Sequence, residues 1–182
     1  MRFELSSIPE IGRLLAVLVA ARPRGRFAEI GTGVGVGSAW IVEAMDTEAT
    51  FVTVELDEDR AAAAKRLFEE HPNVRVLQGD WHELLPPEAP FDLLFFDGGA
   101  WKRLPAGEVA LASERALELL APGGIVVIDD LTPKALWPEE WRGKPDPARD
   151  VWLGRDDLVV TELLTTPETA AMLVVKRSQT LS

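Results

Sequence analysis

Cysteine is absent from this chain of 182 residues. That absence excludes a disulfide scaffold, a thiolate zinc site and a cysteine nucleophile, and it fits a reducing, cytoplasmic setting. Long apolar runs are also lacking. The run at residues 14–21 falls far short of the roughly 20 residues a membrane-spanning helix needs. A basic start ahead of that run has the outline of a secretory leader, but Glu4, Pro9 and Glu10 spoil it. Positive charge is scarce as well: nineteen Lys and Arg stand against thirty Asp and Glu, a net charge of −11. Residues 1–28 hold five arginines and two acids, a balance of +3, which leaves −14 on the remainder. A field of that sign repels phosphate, so neither strong nucleic-acid binding nor membrane binding is expected. Repeats and low-complexity tracts are missing too. What is present, 47% hydrophobic and 27% charged residues, is the composition of a globular protein, and the length suits a single domain over residues 1–182.

Hydrophobic spacing sets out the elements. Ile11, Leu14, Leu15, Leu18 and Val19 recur at helical spacing within an N-terminal helix at residues 1–24, with a capping box of Ser7 and Glu10 before them and Pro23 to stop it. From Arg26 onward, short apolar runs at 27–30, 51–54, 74–77, 93–96 and 125–128 read as buried parallel strands. Helical stretches at 38–45, 59–70 and 106–120 separate most of them. That alternation predicts an α/β fold with helices on both faces of a parallel sheet. Two last strands, at 158–164 and 171–175, are joined by too few residues for a crossover helix and should pair antiparallel. Residues 131–150, with four prolines, form an irregular loop, and long loops of that kind are usually functional or disordered.

Chemistry concentrates first in Glu29-Ile30-Gly31-Thr32-Gly33-Val34-Gly35-Val36-Gly37-Ser38, which follows the first strand and opens a helix. Alternate glycines allow a tight turn and a close approach of a ligand to the amides at the helix start. The dinucleotide fingerprint needs glycines at offsets 0, 2 and 5, and neither Gly31 nor Gly33 as a start supplies the third. Glu55 ends the second strand, where a carboxylate can accept bonds from both hydroxyls of a ribose. Gly79-Asp80-Trp81 ends the third. Asp80 there could bond the exocyclic amine of an adenine, or it could cap a short helix beginning at Trp81.

The order of these residues, continued by Phe91-Asp92 with Phe95 and Asp97, and then by Gly123-Gly124-Ile125-Val126-Val127-Ile128-Asp129, resembles class I S-adenosylmethionine-dependent methyltransferases. Within that class the leading segment Ser6 to Gly12, the stretch from Asp97 to Trp101-Lys102, and the pair Asp129-Asp130 are similar to the catechol and caffeoyl-CoA O-methyltransferase group. The resemblance spans residues 5–177. It implies a Rossmann-like methyltransferase fold of seven strands, mostly parallel with an antiparallel C-terminal hairpin strand. It further implies S-adenosylmethionine held by Glu29, Gly31, Thr32, Gly33, Gly35, Ser38, Glu55, Asp80, Trp81 and Asp97. Asp97, Asp129 and Asp130 stand where the group holds its metal, here Mg²⁺ or Ca²⁺ because the donors are hard oxygens. Lys102 and Asp97 are the catalytic candidates. Two departures stand out: Asp130 replaces an Asn, and Lys102 lies five residues after Asp97 rather than three.

His71 is expected at a helix end and His82 on the surface. Trp101, Trp137 and Trp141 fall in the loops beyond strands four and five, where aromatic walls suit a planar ring or simply anchor the loop. The expected activity is methyl transfer to a hydroxyl of a small aromatic acceptor. A tRNA or protein methyltransferase of the same fold and a non-catalytic cofactor-binding protein are the alternatives, and a homodimer is left open.

Overall fold

A computed structural model describes residues 7–98 and 101–178. Ser6 and Gly99, which fall in two of the motifs above, lie outside the described residues. The first helix, α1 (Pro9–Ala20), buries Ile11, Leu15 and Val19 at helical spacing. Its expected capping box does not form. The N-cap is Ile8 without a side-chain bond, and Pro9 opens the helix with a preset φ and no N–H to satisfy. Glu10 pairs with Arg13 at 3.6 Å instead.

The chain continues through β1 (Arg26–Ile30), α2 (Val36–Ala44), β2 (Thr50–Glu55), α3 (Glu58–Leu67), β3 (Val74–Gln78) and α4 (Trp81–Leu84). It goes on with β4 (Phe91–Phe96), α5 (Ala106–Glu118), β5 (Leu120–Leu131), α6 (Pro147–Asp150), β6 (Leu158–Leu164) and β7 (Ala170–Lys176). Seven strands form one sheet in the order β3-β2-β1-β4-β5-β7-β6. The first five pair in parallel, and β7 runs antiparallel between β5 and β6. Five residues of turn between β6 and β7, from Thr165 to Thr169, leave room for a hairpin and not for a crossover.

Strand periodicity divides the core in two. Phe27, Phe51, Leu93, Phe95 and Val127 face α1 and α2. Their alternates Ala28, Val52, Val54, Leu94, Phe96, Val126 and Ile128 face α5, Trp101 and Trp152. Helix α1 lies tight against α2, since a methyl group at Gly12 would stand 2.3 Å from the Trp40 ring. Among the described residues no helix is long and apolar enough to cross a membrane.

Strand order reverses between β1 and β4, so the chain leaves their carboxyl ends in opposite directions and opens a crevice there.

Candidate active site

The crevice holds a cavity of about 1190 Å³. Its floor is the turn after β1. Gly31 has φ +96° and stands against the backbone of Gly98, where an added methyl group would come within 2.9 Å of the amide nitrogen. Gly33 has φ +56° with nothing within 4 Å of its missing side chain, so the turn presents bare backbone to the cavity. Helix α2 begins immediately after, with Gly35 as N-cap and no side-chain bond to its first amides. Those amides are the natural partners of an anionic or carbonyl group.

Behind the turn, Glu29 is buried, accepting bonds from the hydroxyls of Ser38 and of Thr53, the latter at 2.7 Å. Thr53 in turn meets the Thr32 hydroxyl at 2.5 Å. Burial pushes the Glu29 carboxyl up to about 8, against the lowering effect of both hydroxyls. Glu29, Ser38 and Gly35 do not line the cavity; they fix the turn from beneath. Glu55 does line it. One of its oxygens accepts the Gly33 amide at 2.8 Å and the other accepts the Asp57 amide at 3.0 Å.

Asp80 takes the capping alternative and also lines the cavity. It is the N-cap of α4, accepting the His82 amide at 2.9 Å and meeting His82 Nδ1 at 2.8 Å. The bond from the His82 amide holds its carboxyl below the usual range. His82 is half-exposed at the surface, where its ring lies 3.8 Å from that of Trp81 and the pair forms part of the cavity wall. His71 sits just beyond α3, its ring edge-on to Phe68.

Across the crevice, Asp97, Lys102 and Asp130 line the cavity, while Asp129 is buried behind them. Burial raises Asp97 to about 7, reinforced by Asp129 and Asp130 and opposed by Lys102. Asp129 is raised to about 6 by burial, against the bond it accepts from the Asp130 amide at 2.7 Å. Burial lowers Lys102, and the three carboxylates counter it. Its ammonium donates to the Asp129 carbonyl. Trp101 is buried and stacks on Phe96 with ring centroids 4.5 Å apart. Trp137 is buried and Trp141 half-exposed, edge to face at 6.2 Å, and all three indoles line the cavity.

The chain is similar to known proteins. Residues 28–131, more than half of the chain, match the family described as methyltransferase domain. The chain belongs to that family. An O-methyltransferase of Streptomyces achromogenes, TomG, solved in complex with SAM, superposes with a TM-score of 0.75 at 26% identity, over 96% of this chain and 83% of that one. An O-methyltransferase from Bacillus cereus in complex with SAH shares the fold with a TM-score of 0.77 at 19% identity, over 96% and 84%. A protein of Mycobacterium avium (strain 104), provisionally named an O-methyltransferase, is 28% identical over 126 residues, 66% of this chain and 54% of its own. The chain thus matches about half the length of the curated relatives.

The methyltransferase domain therefore has two halves to its site, a glycine turn with Glu55 and Asp80 on one side and an acid–lysine–tryptophan side opposite. Bare backbone at Gly33 and uncapped α2 amides fit S-adenosylmethionine. The acids fit a divalent ion less well. Among the described residues no three or more Asp, Glu or His side chains are grouped so as to hold a metal. Asp129 is turned onto a backbone amide, Asp130 is exposed with φ +56°, and the charge within their reach is the Lys102 ammonium.

Sequence reasoning missed Thr53, the hinge of the Glu29 network, because a threonine inside an apolar strand carries no motif. It also missed Arg149, which is buried on the cavity wall and is paired with Asp146 and Glu162. No local signal marks an arginine whose main partner is 13 residues away on an edge strand.

Proposed function

We propose that this domain transfers the methyl group of S-adenosylmethionine to a hydroxyl of a small aromatic acceptor. The observation that carries this reading is the cavity at the β1–β4 switch point, in which a bare glycine turn faces a wall of indoles across Asp97 and Lys102. When bound, S-adenosylmethionine supplies an electrophilic methyl carbon. On this reading the Gly31, Thr32 and Gly33 backbone and the start of α2 hold the methionine part. Glu29 and Ser38 keep that turn in shape, Glu55 takes the ribose hydroxyls, and Trp81 with Asp80 borders the adenine. The indoles of Trp101, Trp137 and Trp141 exclude water and sandwich the acceptor ring. Asp97, raised by burial to about 7, is the group able to receive the acceptor's hydroxyl proton near neutral pH, and Lys102, lowered by burial, takes that role only after it has lost its own proton.

A thermal-shift screen tests the cofactor: S-adenosylhomocysteine should raise the melting temperature and NAD should not. The reverse result removes the reading. Methylation of catechol, followed by mass spectrometry, tests the activity, and Lys102→Met is expected to lower kcat by about 10²-fold or more. S-adenosylhomocysteine binding without turnover of any small acceptor would favour the macromolecular or non-catalytic alternatives.

A second reading gives Asp97, Asp129 and Asp130 to Mg²⁺ or Ca²⁺. The crowding of carboxylates, which adds to burial in raising Asp97, supports it, and the position of Lys102 opposes it. Calorimetric titration of Mg²⁺ in the presence of S-adenosylhomocysteine decides between them, with no binding and EDTA-resistant turnover expected on the first.

A further inference from the structure

The segment between β5 and β6 roofs the acceptor half of the cavity, yet it has little regular structure: two 3₁₀ turns, Lys134–Leu136 and Glu139–Trp141, and the single turn of α6. One buried cation lies at its centre. The Arg149 side chain is 3% exposed. Its Nε donates to Glu162 Oε2 at 2.6 Å and its Nη1 to Asp146 Oδ2 at 2.6 Å. Its Nη2 donates to the Thr132 carbonyl at 2.8 Å and to Glu162 Oε1 at 3.2 Å. One side chain thereby ties the residue that leaves β5, the N-cap of α6 and the edge strand β6. The Thr132 carbonyl also accepts the Trp137 indole N–H at 3.1 Å, and the guanidinium lies 5.8 Å from the centre of that ring.

With its fork engaged on two carboxylates and a carbonyl, Arg149 is committed to the protein and is not offered to an anionic ligand. Trp137 and Arg149 lie beyond β5, across the crevice from Glu55 and Asp80 at the ends of β2 and β3.

We infer that Arg149 is a positioning residue for acceptor binding: by clamping Thr132, Asp146 and Glu162 it fixes the Trp137 wall, and so sets affinity for the acceptor independently of affinity for the cofactor. This inference rests on the proposed methyl transfer for the identity of the two halves. A lysine keeps the charge and loses the fork, so it should restore the clamp only in part.

The test uses the full chain as wild type, Arg149→Met, Arg149→Lys and the milder Glu162→Gln. S-adenosylhomocysteine affinity is measured by calorimetry, KM and kcat with catechol as acceptor, and trypsin cleavage at Lys134 and Arg142 by mass spectrometry. Arg149→Met should raise the catechol KM about tenfold or more with kcat changed less than about threefold, the pattern of lost ground-state binding. Its cofactor affinity should stay within about twofold of wild type, because the cofactor half is untouched. Arg149→Lys and Glu162→Gln should fall between, and cleavage should be fastest in Arg149→Met. An unchanged KM, an equal loss of cofactor and acceptor affinity, or cleavage no faster than in wild type overturns the inference. Wild type that binds no S-adenosylhomocysteine overturns the methyltransferase reading instead, and the cleavage rates then still decide whether Arg149 holds the segment.

Discussion

Glu29 is a carboxyl group held where its charged form is unfavourable, and that has a consequence for stability. Its folded value of about 8 exceeds the unfolded 4.5, so the native state binds the proton more tightly. Stability from this group is fully present below about 4.5 and is lost as pH rises through about 8. Glu29→Gln, which cannot ionise, should flatten the pH dependence of the urea midpoint between those limits and should raise the midpoint at pH 8 relative to wild type. A variant that keeps the wild-type slope would place the proton elsewhere. Glu55 stands on the cavity wall with both oxygens on backbone amides. Glu55→Ala should weaken S-adenosylhomocysteine by about 1–3 kcal/mol, the scale for bonds to a charged group. Calorimetry checks this, and an unchanged affinity would move the ribose away from Glu55.

At the scale of elements, the turn joining β1 to α2 separates a folding requirement from a binding requirement. Ala at position 31 would need a left-handed backbone and would strike the Gly98 backbone, so Gly31→Ala is expected to cost about 1–3 kcal/mol or more from overpacking. Ala at position 33 meets no protein atom. Gly33→Ala should cost only about 1–2 kcal/mol for its left-handed φ, yet it fills space left open to a ligand. Urea unfolding and calorimetry together check the pair: Gly31→Ala should lose stability, while Gly33→Ala should lose cofactor affinity out of proportion to stability. Equal effects of both changes on binding and folding would reduce the turn to a structural bend.

For the whole molecule, charge governs what can approach. The net −11 is spread over a surface whose excess of acid lies beyond residue 28. Duplex DNA and unstructured RNA should therefore bind no more tightly than about 10⁻⁴ M at physiological salt, the weak end of non-specific association. Filter binding with tRNA measures this directly, and a submicromolar dissociation constant would shift the acceptor from a small molecule to RNA.

Local patterns carried most of the architecture. The five parallel strands were legible because each is a short apolar run bounded by turn residues, and the antiparallel end because too few residues separate β6 from β7. The glycine turn and Glu55 were legible because backbone geometry and strand-end position demand those residue types at those spacings. Asp80 was ambiguous in sequence, since a cap and a ligand contact ask for the same carboxylate; folding gave it the His82 amide. The Ser7–Glu10 box failed because Pro9 opens the helix by itself. What only tertiary structure decided were the pairings between distant segments. Thr53 meets Glu29 across 24 residues, Lys102 reaches the Asp129 carbonyl across 27, and Arg149 meets Glu162 across 13. Periodicity reports which face of an element is buried, whereas the partner of a buried polar group depends on sheet order, and that order exists only once the chain has folded.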